Sequence, residues 1–282
     1  MYHILVAGAG YTGSVIARFF TAKKQKVYAI TRSPEKGREL EAQGIFPQIM
    51  DMTQSETLKG LPSAHFVVIA VAPDQRDEAS YRRIYVEGVH NLLNAIRKNP
   101  RPFLIVYLSS TGVWADQKGE WVDENTAAVP SDWRGRILLE AENQILGSGA
   151  PAVIFRLAGI YGPHRTRLSA FDQPVTPEVL ASRWMNMIHV DDIARAMPVL
   201  FKKAQEGTIY TGVDDTPVAA PDFYRWLGAE IQKPVPFKFT EAAPAGKRIK
   251  NTGLKSLGFS FQYPSYREGY AEILARARGG RN

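Results

Sequence analysis

The first 33 residues constrain the fold of this chain more than any other stretch. An apolar run at residues 3–7 is followed at once by the glycine-rich segment Gly8-Ala9-Gly10-Tyr11-Thr12-Gly13. Apolar residues then recur at helical spacing, and a second apolar run follows at residues 27–30. This order of strand, glycine turn, helix and strand is typical of a unit that binds the pyrophosphate of a dinucleotide.

Each glycine of that segment meets a requirement of this chemistry. Gly8 permits the tight turn, Gly10 has no Cβ to hold the phosphates away, and Gly13 allows close packing of the helix on the strand. The free N–H groups at the start of the helix, around Tyr11 and Thr12, face the anion together with the positive end of the helix dipole. The alternative is a glycine turn with a purely structural role, which the position between strand and helix disfavours.

The end of the second strand indicates which dinucleotide binds. Sites for NAD usually carry Asp or Glu there to bond the ribose 2′-hydroxyl, whereas this chain has Thr31, Arg32 and Ser33. Arg32 can hold a 2′-phosphate through its planar fork of donors, and Ser33 is predicted to cap a helix whose free N–H groups also suit a phosphate. The pattern favours NADP over NAD. The alternative is that Arg32 is a solvated surface side chain.

Composition is that of a soluble globular protein, with 45% hydrophobic and 22% charged residues among 282. No apolar run approaches the roughly 18 residues of a membrane span, and the N-terminus lacks a signal-peptide pattern. The absence of cysteine excludes disulfides and thiolate chemistry, so the cytoplasm is the expected location. The net charge of +7 is spread along the chain, which favours a small anionic substrate or cofactor over nucleic acid.

Strand-like and helix-like patterns alternate after Ser33, which predicts an α/β fold with a doubly wound parallel sheet. We expect a dinucleotide-binding Rossmann domain at residues 1–160 and a smaller substrate lobe at 161–282, with segments near 186–215 returning to the main sheet. Asp191 or Asp192 is expected to cap a helix at 193–204. Ligands of such sheets bind beyond the carboxyl ends of the strands. Besides the first glycine turn and Arg32, the residues predicted at that edge are Asp51, Ala70, Val71, Ala72, Pro73, Ser109, Ser110, Thr111 and Tyr161.

The order of five motifs identifies a family. They are the glycine segment, Asp51, and the stretches at residues 108–114 (LSSTGVW), 156–163 (RLAGIYGP) and 188–194 (IHVDDIA). With them the sequence resembles the extended short-chain dehydrogenase/reductase superfamily, in its NAD(P)-dependent epimerase/dehydratase-like group. The resemblance implies a Rossmann domain that binds NAD(P) and a C-terminal substrate lobe. It also implies that Asp51 contacts the adenine, that residues 70–73 border the adenosine ribose and phosphates, and that Ser110 is the active-site hydroxyl.

The same resemblance implies a homodimer formed by two helices, expected at residues 81–98 and 133–146. Their apolar residues either form the dimer surface or cover the sheet of their own subunit. These residues are Val86, Val89, Leu93, Leu139 and Ile145.

The chain departs from the family at the catalytic pair. The family uses Tyr-x-x-x-Lys on the helix after the Ser strand, followed by a Glu four residues later. Glu142 fixes the register, which puts Arg134 at the tyrosine position and Leu138 at the lysine position. Arginine stays charged near neutral pH and does not transfer a proton, so the usual proton relay is missing.

The sequence is therefore compatible with three functions. The first is an NADP-dependent oxidoreductase in which Ser110 and Thr111 bond the carbonyl oxygen of a small or medium substrate and Arg134 stabilises developing negative charge. Tyr161 is a further candidate acid, or else a packed loop tyrosine. The second is a nucleotide-sugar epimerase or dehydratase, which needs the missing base most. The third is a non-enzymatic NADP sensor or partner-binding protein.

No metal site is predicted. His189 precedes Asp191 and Asp192 closely in sequence. Adjacent side chains at the end of a strand point in different directions, so the three are not expected to converge on an ion.

Overall fold

The computed structural model describes residues 1–175 and 178–279. Its fold is built on one seven-stranded parallel sheet, accompanied by four short two-stranded pairings. The described strands are β1 His3–Ala7, β2 Lys26–Thr31, β3 Phe46–Ile49, β4 Phe66–Ile69, β5 Leu104–Ser110, β6 Trp121–Val122, β7 Ala152–Leu157, β8 Gly159–Tyr161, β9 Val179–Leu180, β10 Trp184–Met185, β11 Met187–His189, β12 Ile209–Gly212, β13 Val218–Ala219, β14 Lys238–Phe239 and β15 Arg248–Ile249.

Helices cover both faces of the sheet and form much of the remaining structure. A π-helical segment, Arg82–Gly88, lies between α3 and α4. The described α-helices are α1 Tyr11–Ala22, α2 Pro34–Glu41, α3 Glu78–Tyr81, α4 Val89–Ile96, α5 Trp133–Leu146, α6 Val190–Lys203, α7 Ala220–Ile231, α8 Thr252–Ser256 and α9 Tyr266–Gly279. None of the described helices is both long and apolar enough to cross a membrane.

The strand order β12-β7-β5-β4-β1-β2-β3 confirms the doubly wound α/β fold. Both faces of the central strands are buried, as their near-continuous apolar sequences require, and one large apolar cluster lies on each face. Ala7 pairs with Ile30 on one side and with Ile69 on the other. Because these three strands end at the same level, the loops that follow them meet at one edge of the sheet.

The seventh strand of the sheet comes from far along the chain. Ile209 of β12 pairs with Ile154 of β7. Helix α6 packs against α1, and its residues Ile193 and Met197 are fully buried in the apolar cluster on that face. The four short pairings belong largely to the region after residue 158, where a separate aromatic cluster forms around Phe223 and Tyr270.

The predicted cap of α6 is wrong. The helix begins at Val190, and the His189 side chain caps it by accepting a hydrogen bond from the Asp191 N–H at 3.2 Å. Asp192 is fully buried instead, where its carboxylate accepts the backbone N–H groups of Gln262 and Tyr263 at 2.8 and 2.9 Å. Asp is a common N-cap residue, so the sequence pattern favours it at this position. In the structure, however, the Asp192 carboxylate is used by the loop at Gln262 and Tyr263, whose two backbone N–H groups need an acceptor.

Candidate cofactor cleft

A cleft of about 740 Å³ runs along the carboxyl ends of the central strands. It contains nearly all of the residues that the sequence predicts for cofactor binding. These are Gly8, Gly10, Tyr11, Thr12, Thr31, Arg32, Ser33, Asp51, Ala70, Val71, Ala72, Pro73 and Ser109. Ser110 and Thr111 also line it, while Gly13 packs beneath the turn.

The glycine turn leaves a space of the kind that a diphosphate needs. Gly8 has a φ of +103°, and a Cβ there would lie 2.6 Å from the Ala70 carbonyl oxygen. A Cβ on Gly13 would lie 1.9 Å from the Gly8 carbonyl oxygen, so helix and turn touch directly. A Cβ on Gly10, in contrast, would meet nothing of the protein within 4 Å. Gly10 is the N-cap residue of α1 and supplies no side-chain cap, so the first N–H groups of the helix face the cleft uncovered.

Arg32 at the end of β2 is held by Asp74, which follows Pro73 in the loop after β4. Its Nη1 and Nη2 donate to the two carboxylate oxygens of Asp74 at 2.8 and 2.5 Å. The hydrogen bond from Arg32 lowers the pKa of Asp74, and the same bond raises the pKa of Arg32. Lys36 and Arg83 line this end of the cleft as well. The sequence reading missed Asp74 because nothing local marks its partner, which lies 42 residues away.

Two other predicted residues at this end are fixed by local hydrogen bonds. Ser33 Oγ accepts the N–H of Lys36 at 3.1 Å and so caps α2, where the sequence expects a cap. The Asp51 carboxylate accepts both the N–H and the hydroxyl of Thr53, at 2.9 and 2.8 Å. These bonds orient the Asp51 side chain, which lines the cleft.

The two serines at the end of β5 have different surroundings. The Ser109 hydroxyl donates to Glu142 at 2.6 Å, and Glu142 forms a buried ion pair with Arg156 at 2.7 Å. Ser109 therefore anchors α5 to the sheet. Ser110 is less buried and lines the cleft, where its Oγ accepts the Gly112 N–H at 3.1 Å. Its hydroxyl proton remains available to a ligand.

Arg134 and Tyr161, two of the predicted catalytic residues, do not line the cleft. The Arg134 guanidinium stacks on the Trp133 ring at 4.6 Å and lies 3.6 Å from Asp132. Tyr161 is buried against Tyr270, with ring centroids 5.3 Å apart, and its hydroxyl donates to the Ser265 carbonyl at 3.3 Å. Burial raises the pKa of Tyr161 well above its ordinary value. Neither side chain therefore lines the cleft, and Tyr161 is the packed tyrosine that the sequence offered as its alternative role.

Tyr85 lines the cleft instead, together with Ser110 and Leu138. It lies in the π-helical segment and packs against the apolar cluster that contains Leu138. Its hydroxyl has no hydrogen-bond partner in the described part of the chain, and burial raises its pKa. Sequence reasoning missed Tyr85 because the segment looks like ordinary helix, although π-helical turns are frequent at functional sites.

Arg165 is a third cleft residue, after Asp74 and Tyr85, that sequence reasoning missed. It closes a tight turn with Gly162 through two backbone hydrogen bonds, of 3.2 and 3.0 Å. Its guanidinium lies 5.6 Å from the centre of the Tyr11 ring, whose hydroxyl donates to the Pro163 carbonyl at 2.9 Å. These contacts bring a positive charge close to the glycine turn.

One group of possible metal ligands converges within the described residues, contrary to the expected divergence of side chains. Ligand atoms of His189, Asp191 and Glu272 lie within 4.8 Å of one another. Glu272, however, already accepts the Tyr263 hydroxyl and pairs with Arg276, and His189 Nδ1 is used in the helix cap. The arrangement is explained by these contacts, and we do not assign a metal to it.

Comparison with known proteins finds a matching family model and several similar structures. A family model described as the NAD dependent epimerase/dehydratase family matches residues 4–211. The structure of a candidate NAD-dependent epimerase/dehydratase from Methylobacillus flagellatus is 31% identical, covers 98% of this chain and 99% of that chain, and has a TM-score of 0.79. A conserved protein of unknown function from Silicibacter pomeroyi is 26% identical over 98% and 99% of the two chains, with a TM-score of 0.78.

A more distant structure shows the fold alone. UDP-glucose 4-epimerase of Thermus thermophilus, in complex with NAD, is 18% identical over 95% of this chain and 96% of that chain, with a TM-score of 0.77. No curated protein matches the sequence.

Proposed function

We propose that this chain, which belongs to the NAD dependent epimerase/dehydratase family, uses NADP to oxidise or reduce a small or medium hydroxyl or carbonyl compound. Family membership makes the chain an enzyme of the NAD(P)-dependent oxidoreductase and epimerase type. The observation that carries the proposal is the cleft, in which the uncovered turn at Gly10 and the Arg32 fork lie together with Ser110.

The choice of NADP rests on charge at one end of the cleft. Arg32, Lys36 and Arg83 line that end, and β2 ends in Thr31 rather than in the carboxylate that usually bonds a free 2′-hydroxyl. A 2′-phosphate carries a charge that such cationic donors bind through short, charge-assisted hydrogen bonds. The Thermus epimerase binds NAD, so the preference proposed here comes from this chain's own residues.

Titration of NADPH and NADH tests the cofactor choice directly. We expect wild type to bind NADPH more tightly, and Arg32→Ala to weaken NADPH by about 10- to 100-fold because one charge-assisted contact is lost. The affinity for NADH should change little. Equal affinities of wild type for the two cofactors would contradict the assignment of NADP.

A bound nicotinamide cofactor supplies or accepts the hydride. In the direction of reduction, the Ser110 hydroxyl donates a hydrogen bond to the substrate carbonyl oxygen, and the Tyr85 hydroxyl gives that oxygen its proton. Water then returns a proton to the Tyr85 oxygen and so restores its hydroxyl. Tyr11 is less suited to this role because its hydroxyl is already donated to the Pro163 carbonyl.

Turnover of a panel of carbonyl compounds, followed by NADPH consumption, tests the chemistry. We expect Tyr85→Phe to lower kcat by about 100-fold or more, the usual value of a positioned proton donor, without weakening NADPH binding. Tyr81→Phe is the matched control, because the Tyr81 ring lies 5.3 Å from the Tyr85 ring, at an angle of 59°, and does not line the cleft. Unchanged turnover in Tyr85→Phe would remove Tyr85 from the mechanism.

Two other outcomes would support the alternative functions. Tight NADPH binding without turnover of any compound would favour a non-enzymatic NADP sensor. A nucleotide-sugar retained by the purified protein would favour an epimerase or dehydratase, which the family description supports and the replacement of the lysine by Leu138 opposes.

We also propose a cytoplasmic homodimer formed through α5 and through the helical residues 81–98, which include the π-helical segment and α4. Val89, Leu93 and Ile145 are buried within the subunit, so they cover the sheet and do not supply the dimer surface. Val86 and Leu139 remain partly exposed on these helices. Light scattering should show a dimer for wild type and a monomer after Leu139→Glu; a wild-type monomer would contradict the proposal.

A further inference from the structure

The ion pair between Arg32 and Asp74 bears on how the cleft distinguishes the two nicotinamide cofactors. Two terminal nitrogens of one guanidinium donate to two oxygens of one carboxylate, at 2.8 and 2.5 Å. Phosphate groups are bound by arginine through the same pair of parallel hydrogen bonds. The Asp74 carboxylate therefore occupies the donor edge of Arg32 that a 2′-phosphate would use.

We propose that Asp74 is an internal competitor for the 2′-phosphate and thereby limits the preference of the cleft for NADPH over NADH. The inference rests on the proposed use of NADP. Without a bound 2′-phosphate, the Asp74 carboxylate accepts the hydrogen bonds of the Arg32 guanidinium. When a 2′-phosphate binds, it takes these hydrogen bonds and the carboxylate is displaced. NADH carries no anion at this position, so it leaves the ion pair intact and gains nothing from Arg32.

Because the Arg32–Asp74 pair is exposed to solvent, breaking it costs little free energy. The Arg32 and Asp74 side chains are 50% and 49% exposed, and ion pairs of this kind contribute little to stability. A phosphate monoester carries a charge of about −1.5 to −2 at neutral pH, compared with −1 for the carboxylate. The incoming group is therefore the stronger partner for the same donors.

Other charged groups surround the pair, and the cations among them favour the exchange. Arg83 attracts the Asp74 carboxylate through space, which gives the displaced side chain a second cation to face. Asp51 is the other carboxylate whose field reaches Arg32. Lys36 lines the cleft beside them and pairs with Glu39 at 2.7 Å. Displacement of Asp74 thus leaves no isolated charge, because two cations remain within the same end of the cleft.

The test is equilibrium binding of NADPH and NADH to Asp74→Asn, which keeps the shape of the side chain and removes its charge. We expect the affinity for NADPH to rise about three- to tenfold, since a weak competing ion pair and a like charge are both removed. The affinity for NADH should change by less than about twofold, because no exchange at Arg32 accompanies its binding.

Glu140→Gln is the matched control. Glu140 pairs with Arg82 at 3.1 Å, and these two side chains are 46% and 48% exposed, but neither residue lines the cleft. This variant should bind both cofactors as wild type does. Comparing 2′,5′-ADP with 5′-AMP as ligands repeats the test without the nicotinamide half.

The possible outcomes distinguish a failure of the proposed competition from a failure of the proposed use of NADP. If wild type prefers NADPH and Asp74→Asn binds it no better, the competition is refuted while the use of NADP stands. If Asp74→Asn instead weakens NADH, Asp74 bonds the ribose hydroxyls directly and the competition is again refuted. If wild type shows no preference and Arg32→Ala has no effect, the proposed use of NADP itself fails.

Discussion

At the scale of single residues, burial separates the polar groups that maintain the fold from those that face the cleft. Glu142 and Arg156 are almost completely buried and satisfy one another, with Ser109 as a third partner. Ser110, one residue further, lies at the cleft. Three buried side-chain atoms have no hydrogen-bond partner in the described part of the chain: the Tyr107 hydroxyl, His189 Nε2 and one carboxylate oxygen of Asp214.

We predict that Asp214 makes stability depend on pH. Burial raises its pKa well above the ordinary value of 3.8, so the native state holds a proton that the unfolded chain releases. Its contribution to stability is complete below pH 3.8 and is lost as pH rises towards the raised pKa, by up to about 1.4 kcal/mol per pH unit.

Urea unfolding of wild type and Asp214→Asn between pH 4 and pH 8 would measure this effect. Asparagine does not titrate, so the stability of the variant relative to wild type should increase with pH over this range. A difference that stays constant with pH would show that Asp214 does not titrate as proposed.

At the scale of elements, the strand, turn and helix at the N-terminus are predictable because their signals are local. Gly8, Gly10 and Gly13 each have a separate backbone role, and the spacing of apolar residues fixes α1. The π-helical turn that carries Tyr85 is not predictable in this way, because its apolar spacing resembles that of an α-helix. The pairing of Arg32 with Asp74 is also not predictable from the sequence, since it depends on how two distant loops meet.

The glycine turn yields a prediction that separates folding from binding. Ala at position 10 adds a methyl group where the protein leaves open space. The free energy of unfolding of Gly10→Ala should therefore lie within about 1 kcal/mol of the wild-type value. The variant should nevertheless bind NADPH poorly, because the methyl group occupies the space that the phosphates need. Ala at position 13 would collide with the Gly8 carbonyl, so Gly13→Ala should be destabilised by about 2 kcal/mol or more.

Denaturant unfolding and cofactor titration of the two variants would check this pair of outcomes. Normal NADPH affinity in Gly10→Ala would mean that the phosphates do not approach this turn. Wild-type stability in Gly13→Ala would mean that the contact between helix and turn relaxes easily.

At the scale of the whole molecule, the sheet is completed by β12, a strand that lies within the region predicted to form the substrate lobe. β12 pairs with β7, and Met197 and Leu200 of α6 are fully buried in the cluster that covers one face. A division of the chain at residue 160 remains a prediction from sequence. It assigns the first 160 residues to a unit from which these contacts would be missing.

We predict that a fragment of residues 1–160 does not fold stably. Its β7 would form an open edge, and the apolar residues Val153 and Phe155, fully buried in the complete chain, would lose their cover from α6 and β12. Circular dichroism and thermal unfolding of the fragment should show no cooperative transition, whereas the full chain should show one. A cooperative transition in the fragment would establish residues 1–160 as an independent domain.

The late position of β12 also matters while the protein is being made. Translation proceeds from the N-terminus, so β7 leaves the ribosome well before the strand that pairs with its outer edge. During that interval the unpaired backbone of a nascent chain can join the edge strand of a neighbouring nascent chain on the same polysome. Chaperone binding to the growing polypeptide should therefore be strongest between the emergence of residue 157 and that of residue 212.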